Sequence, residues 1–405
     1  MIKRMNILHI NTKDIGGAAV AAIRLHRGLL QQGIDSKFLF QENKTNEIEQ
    51  SYYWKQKENT LKQQLLNKLA FWQTKQQKNK QRLKGFPRNY DMFSFADSDV
   101  DITQHPLCKE ADIINLHWVP RFLDYLSFFR KCKKPLVWTL HDMNPFSGGF
   151  HYRRDVEKNT GGMQELNRQI YAVKKEALGQ CHSLSVVAPS HWMYKSARQS
   201  ELLGDFPVYH IPYGVDTTVF KPYDQAFARQ VFNLPQDKKI LLFISDSLSN
   251  ERKGFDLLLN AITGIKDDSF WLCAVGKKTT DMDELKNITY LGRISDERLI
   301  ALLYSACDAF VLPSREDNFP NVLLEATACG TPVIAFPVGG VPDIIEDGKN
   351  GLIASEVSYS ALSEAIKTLR LSKFNSQNIS DATKERYNLN IQATRYRDLY
   401  SAILK

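Results

Sequence analysis

Arg252 and Lys253 stand side by side ahead of Gly254, in the run Ser249-Asn250-Glu251-Arg252-Lys253-Gly254-Phe255-Asp256. Two adjacent cations at the start of an apolar helical stretch suit a diphosphate. The guanidinium can fork onto two phosphate oxygens, and the ammonium adds a point charge. An isolated Arg-Lys-Gly is usually surface charge, so its weight depends on a second run. In Pro313-Ser314-Arg315-Glu316-Asp317-Asn318-Phe319-Pro320-Asn321-Val322-Leu323-Leu324-Glu325, a loop with two acids leads into a helix holding a third. Seven residues separate Asp317 from Glu325. The helix start near Pro320 and Asn321 offers N–H groups and the positive end of a dipole to an anion. Glu325 lies among Leu323, Leu324 and Ala326, where an acid needs partners; its carboxylate can accept from both hydroxyls of a ribose.

Two glycine pairs and two histidines extend the set. Gly16-Gly17 follows the first apolar run, where paired glycines let a backbone approach a ligand and a helix start attracts phosphate. Gly339-Gly340 occupies the corresponding place late in the second half. His117, in Asn115-Leu116-His117-Trp118, and His141, in Trp138-Thr139-Leu140-His141-Asp142, each directly follow an apolar strand-like run. A histidine there is more often structural than catalytic, but two in parallel contexts argue for a shared site. Asp97-Ser98-Asp99 and Asp281-Met282-Asp283 have the spacing of a metal-binding acid pair. Neither directly follows a strand, so no metal is expected.

These residues need elements that bring them to one edge. Short β-branched runs alternate with longer helical stretches throughout, the mark of parallel sheets covered on both faces. Strands are expected at Asn6–Ile10, Ser36–Phe40, Ala111–Leu116, Pro135–Leu140 and Ser185–Ala188. After a Pro- and Gly-bearing hinge at 208–222 they resume at Lys239–Ser245, Phe270–Val275, Ile288–Leu291, Ala309–Leu312 and Pro332–Phe336. The organisation expected is a Rossmann-like domain over 1–212, a second over 213–380, and a final helix over 381–405. Two doubly wound α/β domains place a ligand at the C-terminal ends of their strands.

Composition supports this and excludes other classes. A chain of 405 residues with 43% hydrophobic and 24% charged content is globular and long enough for two cores. The net charge of +8 is local: residues 43–90 hold eleven Lys/Arg against three Asp/Glu. Within that stretch Leu61, Leu65, Leu69 and Trp72 share a helical face. The helix either touches anionic lipid or packs its leucines on the first domain and solvates its lysines; the second is favoured. No nucleic-acid motif accompanies the charge. The six cysteines form no Cys-x-x-Cys pair, which argues against a zinc site or disulfide framework. No signal peptide or membrane-spanning run is evident, so the expected location is cytoplasmic, with peripheral contact at the inner face of the cytoplasmic membrane as the alternative if the basic helix touches lipid.

The 313–334 segment resembles the Glu-x7-Glu signature of the retaining glycosyltransferases of family 4, which include glycogen and sucrose synthases and have the GT-B fold. The Trp-Thr-Leu-His-Asp context further resembles the capsule and exopolysaccharide (colanic-acid type) subgroup. The resemblance implies a metal-independent hexosyltransferase with no cofactor, taking a UDP- or GDP-linked sugar to a saccharide or lipid-linked acceptor in cell-surface polysaccharide synthesis. It implies that Glu325 holds the donor ribose and that Arg252 and Lys253 neutralise the diphosphate. Glu316, Asn318, Pro320, Asn321, Val322, Gly16, Gly17, Gly339 and Gly340 then line the donor. His117 faces the reacting sugar, with His141 and Asp142 on the acceptor side. Where the pattern has its first Glu this chain has Asp317, beside Glu316; spacing favours Asp317. Two rival readings follow from the same architecture: a nucleotide-sugar 2-epimerase, and a catalytically silent partner subunit, which the shortened Asp317 keeps open.

Overall fold

A computed structural model of the chain describes residues 5–42, 48–54, 73–265, 268–278 and 286–405. The leucine-bearing face of the basic stretch (Leu61, Leu65, Leu69, Trp72) and the Asp281/Asp283 pair lie outside the described residues. The chain divides into two compact units. The first comprises residues 1–188, 193–211 and 394–405, and the second 189–192 and 212–393.

The first unit is built on a seven-stranded sheet. Its strands are β1 (Asn6–Lys13), β2 (Asp35–Glu42), β3 (Ser51–Tyr53), β4 (Ile113–Leu116), β5 (Leu136–Thr139), β6 (Leu184–Ala188) and β7 (Val208–His210), in the order β3-β2-β1-β4-β5-β6-β7. Every pairing is parallel. Central strands buried on both faces read as apolar runs, and β4, β5 and β6 are buried throughout. The hinge expected at 208–222 begins with a short edge strand, β7, whose three residues carry no apolar signal strong enough to separate it from a linker.

The second unit holds six strands: β8 (Lys239–Ser247), β9 (Phe270–Lys277), β10 (Ile288–Gly292), β11 (Ala309–Leu312), β12 (Val333–Ala335) and β13 (Gly351–Ile353), in the order β10-β9-β8-β11-β12-β13. They too are parallel. Leu241, Phe243, Val311 and Ile334 from the sheet pack with Leu258, Ala261, Leu362 and Ile366 from the helices Phe255–Ile265 and Tyr359–Leu369. In both sheets the winding reverses between the first strand of the unit and its neighbour, β1/β4 and β8/β11. Such a switch point leaves a crevice at the strand C-termini, because the crossovers depart in opposite directions.

The single terminal helix expected from 381 is two helices, Ser376–Tyr387 and Leu389–Ile403. Asn388 between them is extended, because Val215 inserts there. The Val215 N–H donates to the Tyr387 carbonyl at 2.8 Å, and the Leu389 N–H donates to the Val215 carbonyl at 3.2 Å. Helical periodicity survives across the break, which hides it from the sequence pattern. In the first unit, Tyr396 and Tyr400 of the last helix join a buried network. Asn115 donates to the Tyr400 hydroxyl at 2.8 Å, and Thr139 and Tyr396 exchange a hydrogen bond of 2.9 Å. No described helix is long and apolar enough to cross a membrane.

Candidate functional site

In the second unit three loops meet at the switch point. The turn after β8 carries Asn250, whose side chain caps a short helix Glu251–Lys253 by accepting from the Arg252 N–H. Gly254 follows with φ 73°. A Cβ there would sit 1.8 Å from the Pro313 carbonyl oxygen, so glycine lets the cation-bearing turn lie directly on the loop leaving β11. The Arg315 N–H donates to the Arg252 carbonyl at 2.8 Å, and the Arg315 guanidinium forks onto Asp256 at 2.7 and 2.5 Å. The third loop, after β12, is held as closely. Gly339 has φ 52°, and a Cβ on it would fall 1.6 Å from the Asp317 carbonyl oxygen. The Gly340 N–H donates to the Asn318 carbonyl at 2.7 Å.

This interlock brings Arg252, Lys253, Glu316 and Asp317 together. Lys253 Nζ donates to Asp317 Oδ2 at 2.6 Å, and Arg252 Nη1 donates to the Glu316 carbonyl at 3.0 Å and lies 3.7 Å from Asp317 Oδ2. Burial opposes ionisation of Asp317, but the Lys253 ammonium and Arg252 guanidinium outweigh it and hold the carboxyl below its usual range. Asp317, the acid that spacing favours, brings its carboxylate to both cations, and Glu316 brings its backbone carbonyl to Arg252. Asn318 is buried, with its Oδ1 accepting from Ser190 at 2.8 Å.

The helix Asn321–Ala328 starts behind Pro320, which offers no side-chain cap. Val322 lies in its first turn and Glu325 one turn in. Glu325 is 8% exposed, and Tyr304 donates to its Oε2 at 3.2 Å. Tyr304 is fully buried, so it positions this carboxylate from beneath. Tyr213 packs edge-on against Phe319, ring centroids 5.5 Å apart, and so braces the same loop.

In the first unit Gly16 and Gly17 are exposed at the start of the helix Gly17–Gln31, beyond the end of β1. His117 and His141 follow β4 and β5 as the sequence implies, but His117 is buried, with both ring nitrogens engaged. Its Nε2 lies 2.9 Å from His9 Nδ1 and its Nδ1 lies 3.0 Å from His141 Nε2. His9, in the middle of β1, is a third member that the sequence reading misses. The available signal was a histidine within the otherwise apolar run Ile7-Leu8-His9-Ile10. Burial, with neighbouring imidazoles, holds His9 and His117 well below the ordinary imidazole value, and burial takes His141 down to about 4. His141 is half-buried, so it is the outer end of the row. His117, His141 and Asp142 line a small open pocket with Trp118, Tyr125 and Trp138.

Asp142 orders its own loop. It accepts from His151 at 2.6 Å, from the Trp118 indole at 3.1 Å and from the Asn144 N–H at 2.9 Å. Lys174, fully buried, donates to the carbonyls of Asn144 and Gly148 and closes the same loop from behind. Asp97 and Asp99, the acid pair rejected as a metal motif, anchor the helix Lys75–Arg82: Asp99 accepts from the Lys75 N–H at 2.9 Å and Asp97 accepts from Asn79 at 2.5 Å.

The cation pair, the interlocked loops and the positioned glutamate all fall in one stretch of chain. Residues 224–386 match the family described as glycosyl transferases group 1. The chain is 36% identical over 153 residues to a D-inositol 3-phosphate glycosyltransferase from Mycolicibacterium smegmatis, covering 35% of this chain and 34% of the relative. It is 32% identical over 176 residues to the enzyme of that description from Mycobacteroides abscessus, covering 40% and 38%. The chain thus matches only about a third of the length of these relatives. Among solved structures, sucrose-phosphate synthase from Thermosynechococcus elongatus is similar over 98% of this chain and 100% of that one, with a TM-score of 0.67 and 19% identity. HepE from Anabaena, solved with UDP and glucose, is similar over 98% and 99%, with a TM-score of 0.69 and 18% identity. At such identities the likeness shows the fold, and the fold is GT-B.

Proposed function

We propose that the protein is a retaining, metal-independent glycosyltransferase that moves a sugar from a nucleotide-diphosphate donor to a saccharide or lipid-linked acceptor. The observation that carries this is the meeting of Arg252 and Lys253 on Asp317 at the β8/β11 switch point, inside the segment that matches the family. Asp317 holds the two cations in place before a donor arrives. Preorganised charge of this kind stabilises a leaving diphosphate without reorganisation during the reaction, usually a large contribution to such catalysis. Glu325, set by Tyr304, accepts from the donor ribose, and the N–H groups at Asn321 and Val322 face phosphate oxygen. The complex of HepE with UDP and glucose supports a UDP-linked donor. The inositol phosphate relatives make a phosphorylated polyol a candidate acceptor beside a polysaccharide.

The test is donor turnover by the purified chain. Each of UDP- and GDP-linked hexoses is incubated with and without a mixed saccharide and inositol phosphate panel, and free nucleoside diphosphate is measured. Acceptor-dependent release that is lost in Arg252→Ala supports the reading. Release of epimerised or eliminated sugar from donor alone points to an epimerase. No release and no donor binding by wild type would overturn the reading.

A further inference from the structure

A third cation stands at the switch point of the second unit, and its charge is matched by Asp256. Arg315, on the loop leaving β11, reaches the cation-bearing turn in three ways. Its backbone N–H donates to the Arg252 carbonyl at 2.8 Å. Its Nη1 donates to the Glu251 carbonyl at 2.5 Å. Nη1 and Nη2 also fork onto the two carboxylate oxygens of Asp256, in the first turn of the helix Phe255–Ile265. Glu251 lies before Gly254 and Asp256 after it, so Arg315 ties both sides of that reversal, with Arg252 and Lys253 between the tied points. The exchange runs both ways. Arg252 Nη1 donates to the Glu316 carbonyl at 3.0 Å, so each loop sends a guanidinium to a carbonyl of the other. A helix of three residues, such as Glu251–Lys253, satisfies few of its own carbonyls; Arg315 supplies a donor to two of them. The Arg315 side chain is 15% exposed and that of Asp256 54%, and the guanidinium holds the Asp256 carboxyl below its usual range. A planar fork fixes direction as well as distance, which an ammonium cannot do.

We infer that Arg315 is a positioning residue of the diphosphate clamp: it fixes the turn carrying Arg252 and Lys253 from both sides of Gly254, and Asp256 in turn fixes Arg315. Arg315 acts through the turn and touches no diphosphate itself. The inference rests on the proposed reading of Arg252 and Lys253 as the diphosphate site. The competing role for a guanidinium in this place is direct contact with phosphate. The two roles answer oppositely to the loss of Asp256. A positioning Arg315 needs its carboxylate, whereas a phosphate-binding Arg315 is released by losing it.

Titration calorimetry of the full chain with UDP and with GDP, at a temperature where each variant is folded by circular dichroism, separates the two roles. Arg315→Ala and Asp256→Asn are each expected to weaken the tighter of the two diphosphates about tenfold, as for loss of one hydrogen bond to a charged group. The double variant is expected to bind no more weakly than either single one, because both act through the same tie. Arg315→Lys keeps the charge and loses the fork, and is expected to bind as weakly as Arg315→Ala. Wild-type or tighter affinity in Asp256→Asn, or wild-type affinity in Arg315→Lys, overturns the inference. Hydrogen exchange of the peptide covering 248–257 reads the turn with no ligand present. Exchange there is expected to rise about tenfold in Arg315→Ala and in Asp256→Asn, with the strand Ala309–Leu312 unchanged; an unaltered turn in both also overturns the inference. Should Arg315→Ala not fold, Asp256→Asn, changed at an exposed side chain, decides the matter. A wild type that binds neither diphosphate would fail the diphosphate reading, while the exchange result still decides whether Arg315 holds the turn.

Discussion

Lys253 and Asp317, 64 positions apart in sequence, meet at 2.6 Å between Nζ and Oδ2. Asp317 therefore acts as the counter-ion of the cation pair. Replacing Arg252 or Lys253 by Ala should lower turnover about a hundredfold, the usual effect of losing one donor aimed at developing charge, with the far-ultraviolet spectrum unchanged. Steady-state kinetics at saturating donor checks this; near wild-type kcat in both variants would remove the clamp.

Asp317→Asn keeps the shape and removes the charge. Lys253 and Arg252, both half-buried, then lose the carboxylate they share, and stability should fall by about 1–2 kcal/mol at neutral pH, less than for a fully buried pair because these groups retain some solvent. The folded carboxyl is held below its ordinary value. Its stabilisation is thus present above the unfolded carboxylate range and is lost as pH falls through the folded value. Urea midpoints of wild type and variant should differ at pH 7 and converge toward pH 3. A gap that persists at pH 3 would show that the loss is not electrostatic.

The buried histidines also lose stability in acid, here because the folded chain keeps them neutral. His26 and His141 are both brought down to about 4, and His9 and His117 lie well below their ordinary value. The unfolded chain binds these protons below about pH 6.5 and the folded chain does not. Stability is full above that point and should decline steeply as pH falls from 6.5 to 4. Calorimetric Tm measured across this range tests it; a flat profile would contradict the neutral row.

Glycine tolerance should separate the interlock from ordinary turns. Gly254→Ala combines positive φ with a Cβ 1.8 Å from the Pro313 carbonyl oxygen, and should cost about 2 kcal/mol or more together with donor binding. Gly264, at the end of the helix Phe255–Ile265, has nothing within 4 Å of a built Cβ. Its change to Ala should be neutral or stabilising by up to about 1 kcal/mol. Equal effects of the two changes on Tm would deny the close approach.

Tyr304→Phe removes the hydroxyl that donates to Glu325 Oε2. Donor KM should rise about tenfold, the worth of a charge-assisted hydrogen bond, while kcat moves little. A change confined to kcat would place Glu325 in the chemical step.

Much of this was legible in the sequence because it is local. The strand Ala309–Leu312 and the helix Asn321–Ala328 fall where their apolar runs and the Pro320 break put them, and Arg252, Lys253 and Glu325 are marked by residue type and spacing. What was hidden is long-range. Tyr304 looks like any core tyrosine until Glu325 lies above it. His9 looks like a stray polar residue until β4 and β5 bring His117 and His141 alongside β1. The break at Asn388 depends on Val215, more than 170 residues earlier, and no local pattern foretells it.

The tyrosines of the last helix impose an order on biosynthesis. Asn115 and Thr139 sit in β4 and β5, yet Tyr400 and Tyr396, their buried partners, follow 285 and 257 positions later. A nascent chain emerging from the ribosome must carry an unfinished first sheet, with Asn115 and Thr139 bonded to each other but lacking their tyrosine partners, while the whole second unit is being made. A fragment ending at residue 211 would keep that defect permanently.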